Sequence, residues 1–256
     1  MLISFEHVTI RREGLAALDD VSLSIGVGEH VAIIGPNGSG KSTMIKAMTR
    51  ELYPVVRDGS AVRLLGRERW DVFALRAHLG IVSNDLMATC TREVTGRDII
   101  LSGFFSSIGL WPHHLVTQAM REKADAILGW LDVPHLADRF VNQMSSGEAR
   151  RIMIGRALVH DPGTLLLDEP TNSLDLHAMH ELRELVRRLA RAGIGILLVT
   201  HHLPDIIPEI DRVILLKQGR IVYDGPKDEA LTPERLGELF AIPVEVLKRD
   251  GYYHLL

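Results

Sequence analysis

Short apolar runs punctuate the chain, and between them apolar positions recur at helical spacing. His30-Val31-Ala32-Ile33-Ile34 and Ile196-Leu197-Leu198-Val199-Thr200 are apolar runs that predict strands, and Leu165-Leu166-Leu167, without alternation, suits a central strand covered on both faces in a parallel sheet. Residues 2–10 and Val21-Ser22-Leu23-Ser24-Ile25, around a turn containing Gly14, predict an antiparallel pair ahead of the first run. Further strands are predicted at 61–65, 79–82, 164–167, 195–200 and 212–216, the last leading through Lys217-Gln218-Gly219-Arg220 into a hairpin with Ile221-Val222-Tyr223. Between Asp85 and Asp161 the character is helical, with Ala124, Ile127, Leu128 and Leu131 on one face; Leu182, Leu185, Val186 and Leu189 form a second core-facing stripe. After Pro226, a short helix near 233–240 and a hairpin turning at Arg249-Asp250-Gly251 predict a small cap. The expected fold class is α/β: a mainly parallel sheet, an N-terminal antiparallel β subdomain and an inserted helical subdomain. All 256 residues would form one domain, with 1–84 and 160–225 as the core, 85–159 as the helical subdomain and 226–256 as the cap.

The first apolar run feeds Gly35-Pro36-Asn37-Gly38-Ser39-Gly40-Lys41-Ser42-Thr43, which fits the phosphate-loop spacing of glycine, four residues and Gly-Lys-Ser, and a helical stretch follows. Glycines at 35, 38 and 40 let the backbone turn its N–H groups toward phosphate oxygens, and the positive end of the next helix favours the same anion. Lys41 would reach the β and γ phosphates and Ser42 would ligate Mg²⁺. Far away in sequence, Thr164–Leu167 ends in Asp168 and Glu169, placing two acids at the carboxyl end of a strand, where open α/β sheets bind ligands. Asp168 is expected to hold the Mg²⁺ shell and Glu169 to polarise an attacking water. Together these stretches point to nucleotide hydrolysis.

Inside the helical region, Met144-Ser145-Ser146-Gly147-Glu148 precedes a helix-like segment. Ser145 and Glu148 have capping-box spacing, and a Ser-Gly helix start also offers free N–H groups to an anion. Here the chain resembles the nucleotide-binding subunits of ATP-binding cassette (ABC) proteins, a P-loop NTPase family whose signature reads Leu-Ser-Gly-Gly-Gln. The resemblance covers essentially the whole chain. It implies that Ser145, Ser146, Gly147 and Glu148 meet the γ-phosphate held by an opposite subunit. Asp175, in Ser173-Leu174-Asp175, resembles the D-loop aspartate that joins two heads, and His201 resembles the switch histidine at the γ-phosphate. Asn84 stands where the family usually has glutamine and keeps an amide able to approach Mg²⁺. Arg12 stands where the family often stacks an aromatic ring on adenine; its guanidinium can stack on a base or stay solvated.

The resemblance therefore implies an Mg²⁺-dependent ATPase in which a second head, identical or homologous, completes each ATP site. Net charge is −4, from 33 acids and 29 bases, so the global balance favours no nucleic-acid partner. Cys90 is the only cysteine, which excludes an internal disulfide and fits a reducing compartment. Met1–His7 has neither the basic start nor the apolar core of a signal peptide, and no run is long enough to span a bilayer. A membrane role would then come through a permease partner, with the chain cytoplasmic and peripheral on the inner face. Arg97-Asp98-Ile99-Ile100-Leu101-Ser102-Gly103-Phe104 resembles a segment of importers of metal chelates, cobalamin and molybdate, and Phe104–Trp111 is a candidate docking patch or a helical core. The competing expectation is a cytosolic ABC ATPase working on nucleic acid or the ribosome. His177, His180 and Glu181, like His113 and His114, lack the convergent third or fourth ligand that zinc needs.

Overall fold

The computed structural model describes residues 1–71, 74–75, 77–83 and 93–256; Asn84, Asp85 and Cys90 lie outside the described residues. It divides into two compact units, Met1–Val72 with Gly195–Leu256, and Phe73–Ile194.

In the first unit β1 (Ile3–Arg12) and β2 (Leu15–Ile25) form an antiparallel hairpin, and β1 also pairs antiparallel with β4 (Ala61–Leu64). Along β2, Val21, Leu23 and Ile25 are buried while Ser22 and Ser24 are exposed, the period-2 pattern of a strand with one wet face. A second sheet has the order β7-β3-β8-β9 within this unit. There β3 (Val31–Ile34) lies parallel to β7 (Gly195–Thr200) and to β8 (Arg212–Lys217), and β8 turns through Gln218-Gly219 into antiparallel β9 (Arg220–Pro226). Every residue of β3 and β7 is buried, which is why their sequences run apolar without alternation. Arg212 fastens β8 to its surroundings, bonding Asp224 at 2.6 and 2.7 Å, Glu29 at 2.8 Å and the Ser24 carbonyl at 2.9 Å. Hydrogen bonds from its guanidinium to Asp224 and Glu29 raise its pKa above the ordinary arginine value, though burial opposes them. The helix α1 (Lys41–Met48) follows β3, and the chain closes with α6 (Lys227–Ala230), α7 (Pro233–Phe240) and the hairpin β10 (Val246–Arg249) and β11 (Tyr252–Leu255).

In the second unit β5 (Leu79–Val82) lies parallel to β6 (Thr164–Asp168). Four helices are described there: α2 (Gly96–Ser102), α3 (Gln118–Trp130), α4 (Ser146–Leu158) and α5 (Leu176–Arg191). Both α3 and α4 pack on α2. The two predicted stripes are real: Ala124, Ile127 and Leu128 are buried on α3, and Leu182, Leu185, Val186 and Leu189 on α5. Between 104 and 111 the apolar run is only half covered, with Phe105 stacked on His114 at 4.2 Å and Trp111 43% exposed. Among the described residues no helix is long and apolar enough to cross a membrane.

Core burial makes a direct prediction. Leu197, at 0% exposure, should cost about 2–5 kcal/mol when replaced by alanine. Leu15→Ala on the exposed end of β2 should stay within about 0.5 kcal/mol, both read by urea unfolding.

Candidate active site: a phosphate loop and a capped signature helix

The carboxyl end of β3 releases the loop 35–43. Its shape is fixed from three sides: Ser39 N–H donates to the Pro36 carbonyl at 3.1 Å, Gly219 N–H donates to the Ser39 carbonyl at 2.8 Å, and β2 presses against Gly40. Gly40 has φ 110, and a Cβ there would lie 2.6 Å from the Ala17 carbonyl oxygen, so only glycine fits. Lys41 is buried and turns back over the loop, donating from Nζ to the Gly35 carbonyl at 2.7 Å and the Pro36 carbonyl at 3.2 Å. Ser39 Oγ is buried and has no hydrogen-bond partner among the described residues. Pro36 is half-buried, Asn37, Gly38 and Ser42 are exposed, and Thr43 is buried against the helix.

The start of α1 differs from five of the other helix starts and shares with α6, which follows Pro226, the lack of a side-chain cap. Thr95, Thr117, Ser145, Asp175 and Thr232 each accept a backbone N–H at the N-termini of α2, α3, α4, α5 and α7. At α1 the N-cap position is Gly40, and no described side chain caps it. That start lies at the positive end of the helix dipole, which favours an anion. A buried ammonium, a buried hydroxyl without a partner and an uncapped helix start all fit a bound polyphosphate.

His201 belongs to the same neighbourhood. Ile34 is level with Thr200 in the parallel pairing of β3 and β7, so Gly35 and His201 leave adjacent strands at the same end. The His201 ring is half-buried, 3.9 Å from that of His202. Arg12 is exposed at the tip of β1, paired across the turn with Leu15.

The second unit carries the acids. Asp168 ends β6 and Glu169 follows, both half-buried; because Val82 pairs with Leu167, Ser83 leaves β5 at the same end as Asp168. Glu169 has φ 46, a left-handed conformation that costs a non-glycine residue energy and breaks the strand direction. Nearby Arg150 is buried, and burial lowers its guanidinium pKa while the charge of Asp168 opposes the shift. Sequence patterning gave no sign of this arginine–aspartate proximity.

Ser145 Oγ accepts the Glu148 N–H at 3.2 Å and Glu148 Oε2 accepts the Ser145 N–H at 2.7 Å, so the capping box at α4 is complete. The Ser145 N–H holds the Glu148 carboxyl below its usual pKa despite partial burial, with help from the Ser145 hydroxyl and from Arg139. Asp175 caps α5 by accepting the Ala178 N–H at 2.8 Å. The two helix starts touch, since a Cβ on Gly147 would lie 2.9 Å from Ala178 Cβ. Ser145, Gly147, Glu148 and Asp175 therefore line one groove of about 700 Å³, while Ser146 is exposed beside it. His177, His180 and Glu181 line the same groove, where Glu181 pairs with Arg151 at 2.5 Å.

Residues 18–172 match the ABC transporter family. The chain belongs to that family of ATP-binding proteins. As an ABC ATPase it is 33% identical over 265 residues to a hemin import ATP-binding protein, HmuV, of Bradyrhizobium diazoefficiens, covering 100% of this chain and 94% of the relative. Among solved structures it is similar to cbiO1 from Clostridium perfringens, part of the ABC transporter complex cbiONQ, with TM-score 0.77 and 26% identity over 93% of each chain. It is also similar to a dimeric ATP-binding cassette in a post-hydrolysis state bound to ADP and Pi, with TM-score 0.73 and 26% identity, covering 88% of this chain and 98% of that one. The expected ABC ATPase fold, with parallel strands, an antiparallel β subdomain and helices, is thereby established, as is ATP hydrolysis as its activity.

The capping box of this ABC ATPase should titrate. Glu148 has a lowered folded pKa, so its contribution is complete above the ordinary carboxylate pKa and is lost as pH falls through the folded value. Unfolding curves of wild type and Glu148→Ala should differ near neutrality and converge in acid. Ser145→Ala should cost about 1 kcal/mol at neutral pH.

Proposed function

We propose that this ABC ATPase is the energising subunit of an importer in the metal-chelate group, and that two heads close around two ATP molecules. The loop 35–43 carries this reading: it combines a buried Lys41 ammonium with an uncapped helix start, so it is built for phosphate before any ligand arrives. Lys41 would draw the β and γ phosphates, and the N–H groups of Gly38, Gly40 and Ser42 would wrap their oxygens. Ser42 and Asp168 would hold Mg²⁺, which when bound neutralises charge on the phosphates; Asn84 is assigned beside them as a third ligand. Glu169 would orient and deprotonate water, and His201 would contact the γ-phosphate.

The exposed start of α4, at Ser145, Ser146 and Gly147, would face the phosphate of the partner head's ATP. Asp175 would sit at the contact between heads. Arg12 would stack on the base. The relative named as a hemin import protein supports import as the direction and a metal chelate as cargo, and cbiO1's membership of a transporter complex supports a permease partner at the membrane's inner face. The dimeric ADP-bound neighbour supports pairing of heads.

Glu169→Gln should retain ATP binding within about threefold yet lower turnover by at least about a hundredfold, measured as phosphate release by the full chain with Mg-ATP. Native turnover by this variant would remove Glu169 from the mechanism.

A further inference from the structure

His201 sits between two anchored neighbours. Thr200, wholly buried, donates its hydroxyl to Asp205 Oδ2 at 3.1 Å and accepts the His202 N–H at 3.0 Å. Asp205, only 4% exposed, ends the 3₁₀ turn Leu203–Asp205 and donates its own N–H to the His202 carbonyl at 3.1 Å. One side-chain relay thus ties down the backbone on both sides of His201. A buried carboxylate holding a buried hydroxyl loses both partners' bonds if either is removed, so the relay is stiff.

The stretch that follows Asp205 is seated on the C-terminal part of the chain. Lys227 Nζ donates to the Pro208 carbonyl at 2.9 Å and the Ile207 carbonyl at 3.4 Å, and Lys227 N–H donates to the Asp211 carbonyl at 2.7 Å. Burial lowers the Lys227 pKa, with the charges of Asp211 and Asp228 opposing. Next to it, Asp228 takes hydrogen bonds from the Tyr253 hydroxyl and from Lys248 at 2.9 and 3.0 Å. The hairpin turn lies against the same stretch, since a Cβ at Gly251 would come within 3.0 Å of Pro208 Cγ, and β11 packs on the turn Leu203–Asp205.

We propose that Asp205 is a positioning residue for His201, acting through Thr200, and that the hairpin β10–β11 braces the turn bearing Asp205. The C-terminal hairpin then sets the geometry of a side chain at the far end of β7. This rests on the reading of His201 as the γ-phosphate contact for its catalytic consequence, while its structural half stands alone.

Two measurements separate the halves. The His201 ring resonance, assigned by its loss in His201→Gln, should shift or broaden in Asp205→Ala, shift less in Tyr253→Phe, and return close to the wild-type position in Asp205→Asn, whose amide oxygen still accepts from Thr200. In steady-state hydrolysis by the full chain, Asp205→Ala should lower kcat about tenfold with KM for ATP within about twofold. Added to His201→Ala it should lower kcat no further, because both changes act through one side chain. An unmoved His201 resonance in Asp205→Ala, or losses that multiply in the double variant, overturns the proposal. Native turnover by His201→Ala instead refutes the functional reading of His201, and the resonance still decides whether Asp205 positions it.

Discussion

The ammonium of Lys41, folded among carbonyls of its own loop, is the constraint on which the first unit depends. Burying an ammonium costs several kcal/mol unless its donors are met, and here Gly35 and Pro36 meet them at 2.7 and 3.2 Å. Those carbonyls can be presented only if the loop is held rigidly. The surrounding strands supply that rigidity: the Ala17 carbonyl excludes any side chain at Gly40, and the β8–β9 turn bonds the Ser39 carbonyl through Gly219. Held in this way, the Lys41 charge and the positive end of the α1 dipole are in place before a nucleotide arrives, which is the preorganisation that electrostatic catalysis requires.

The second unit solves a different problem. Its helix starts at α4 and α5 are internally satisfied by Ser145 with Glu148 and by Asp175. Each cap takes up only one or two N–H groups, so Ser146 and Gly147 remain presented at the rim of the groove that both helices share. In the proposed dimer, this capped start would hold its shape while awaiting the partner's phosphate, so that stability and recognition would use different atoms of the same turn.

Much of this could be read in the sequence because it is local. Buried strands announce themselves by apolar runs, and β3, β6 and β7 fall at the runs His30–Ile34, Thr164–Leu167 and Gly195–Thr200, with β3 starting one residue later at Val31 and β6 extending to Asp168. Three-residue spacing between Ser145 and Glu148 is enough to predict a capping box, and α7 and the final hairpin follow from Pro233 and from Asp250-Gly251. Relations that depend on tertiary approach were not legible. Nothing in the spacing of Thr200 and Asp205 signals a buried relay, and Lys227 looks like an ordinary surface lysine until its ammonium is seen bonded to Ile207 and Pro208. The proximity of Arg150 to Asp168 belongs to the same class. Residue roles toward ATP and Mg²⁺ rest on the family resemblance and on the chemistry of the groups, since those roles are defined by a ligand.

Calorimetric titration of the full chain with adenosine, pyrophosphate and ATP, for wild type and Lys41→Ala, tests the phosphate cradle most directly. The account predicts that pyrophosphate and ATP bind, that adenosine binds at least about a hundredfold more weakly than ATP, and that Lys41→Ala removes most of the difference. Adenosine binding as tightly as ATP, with Lys41→Ala unchanged, would contradict it.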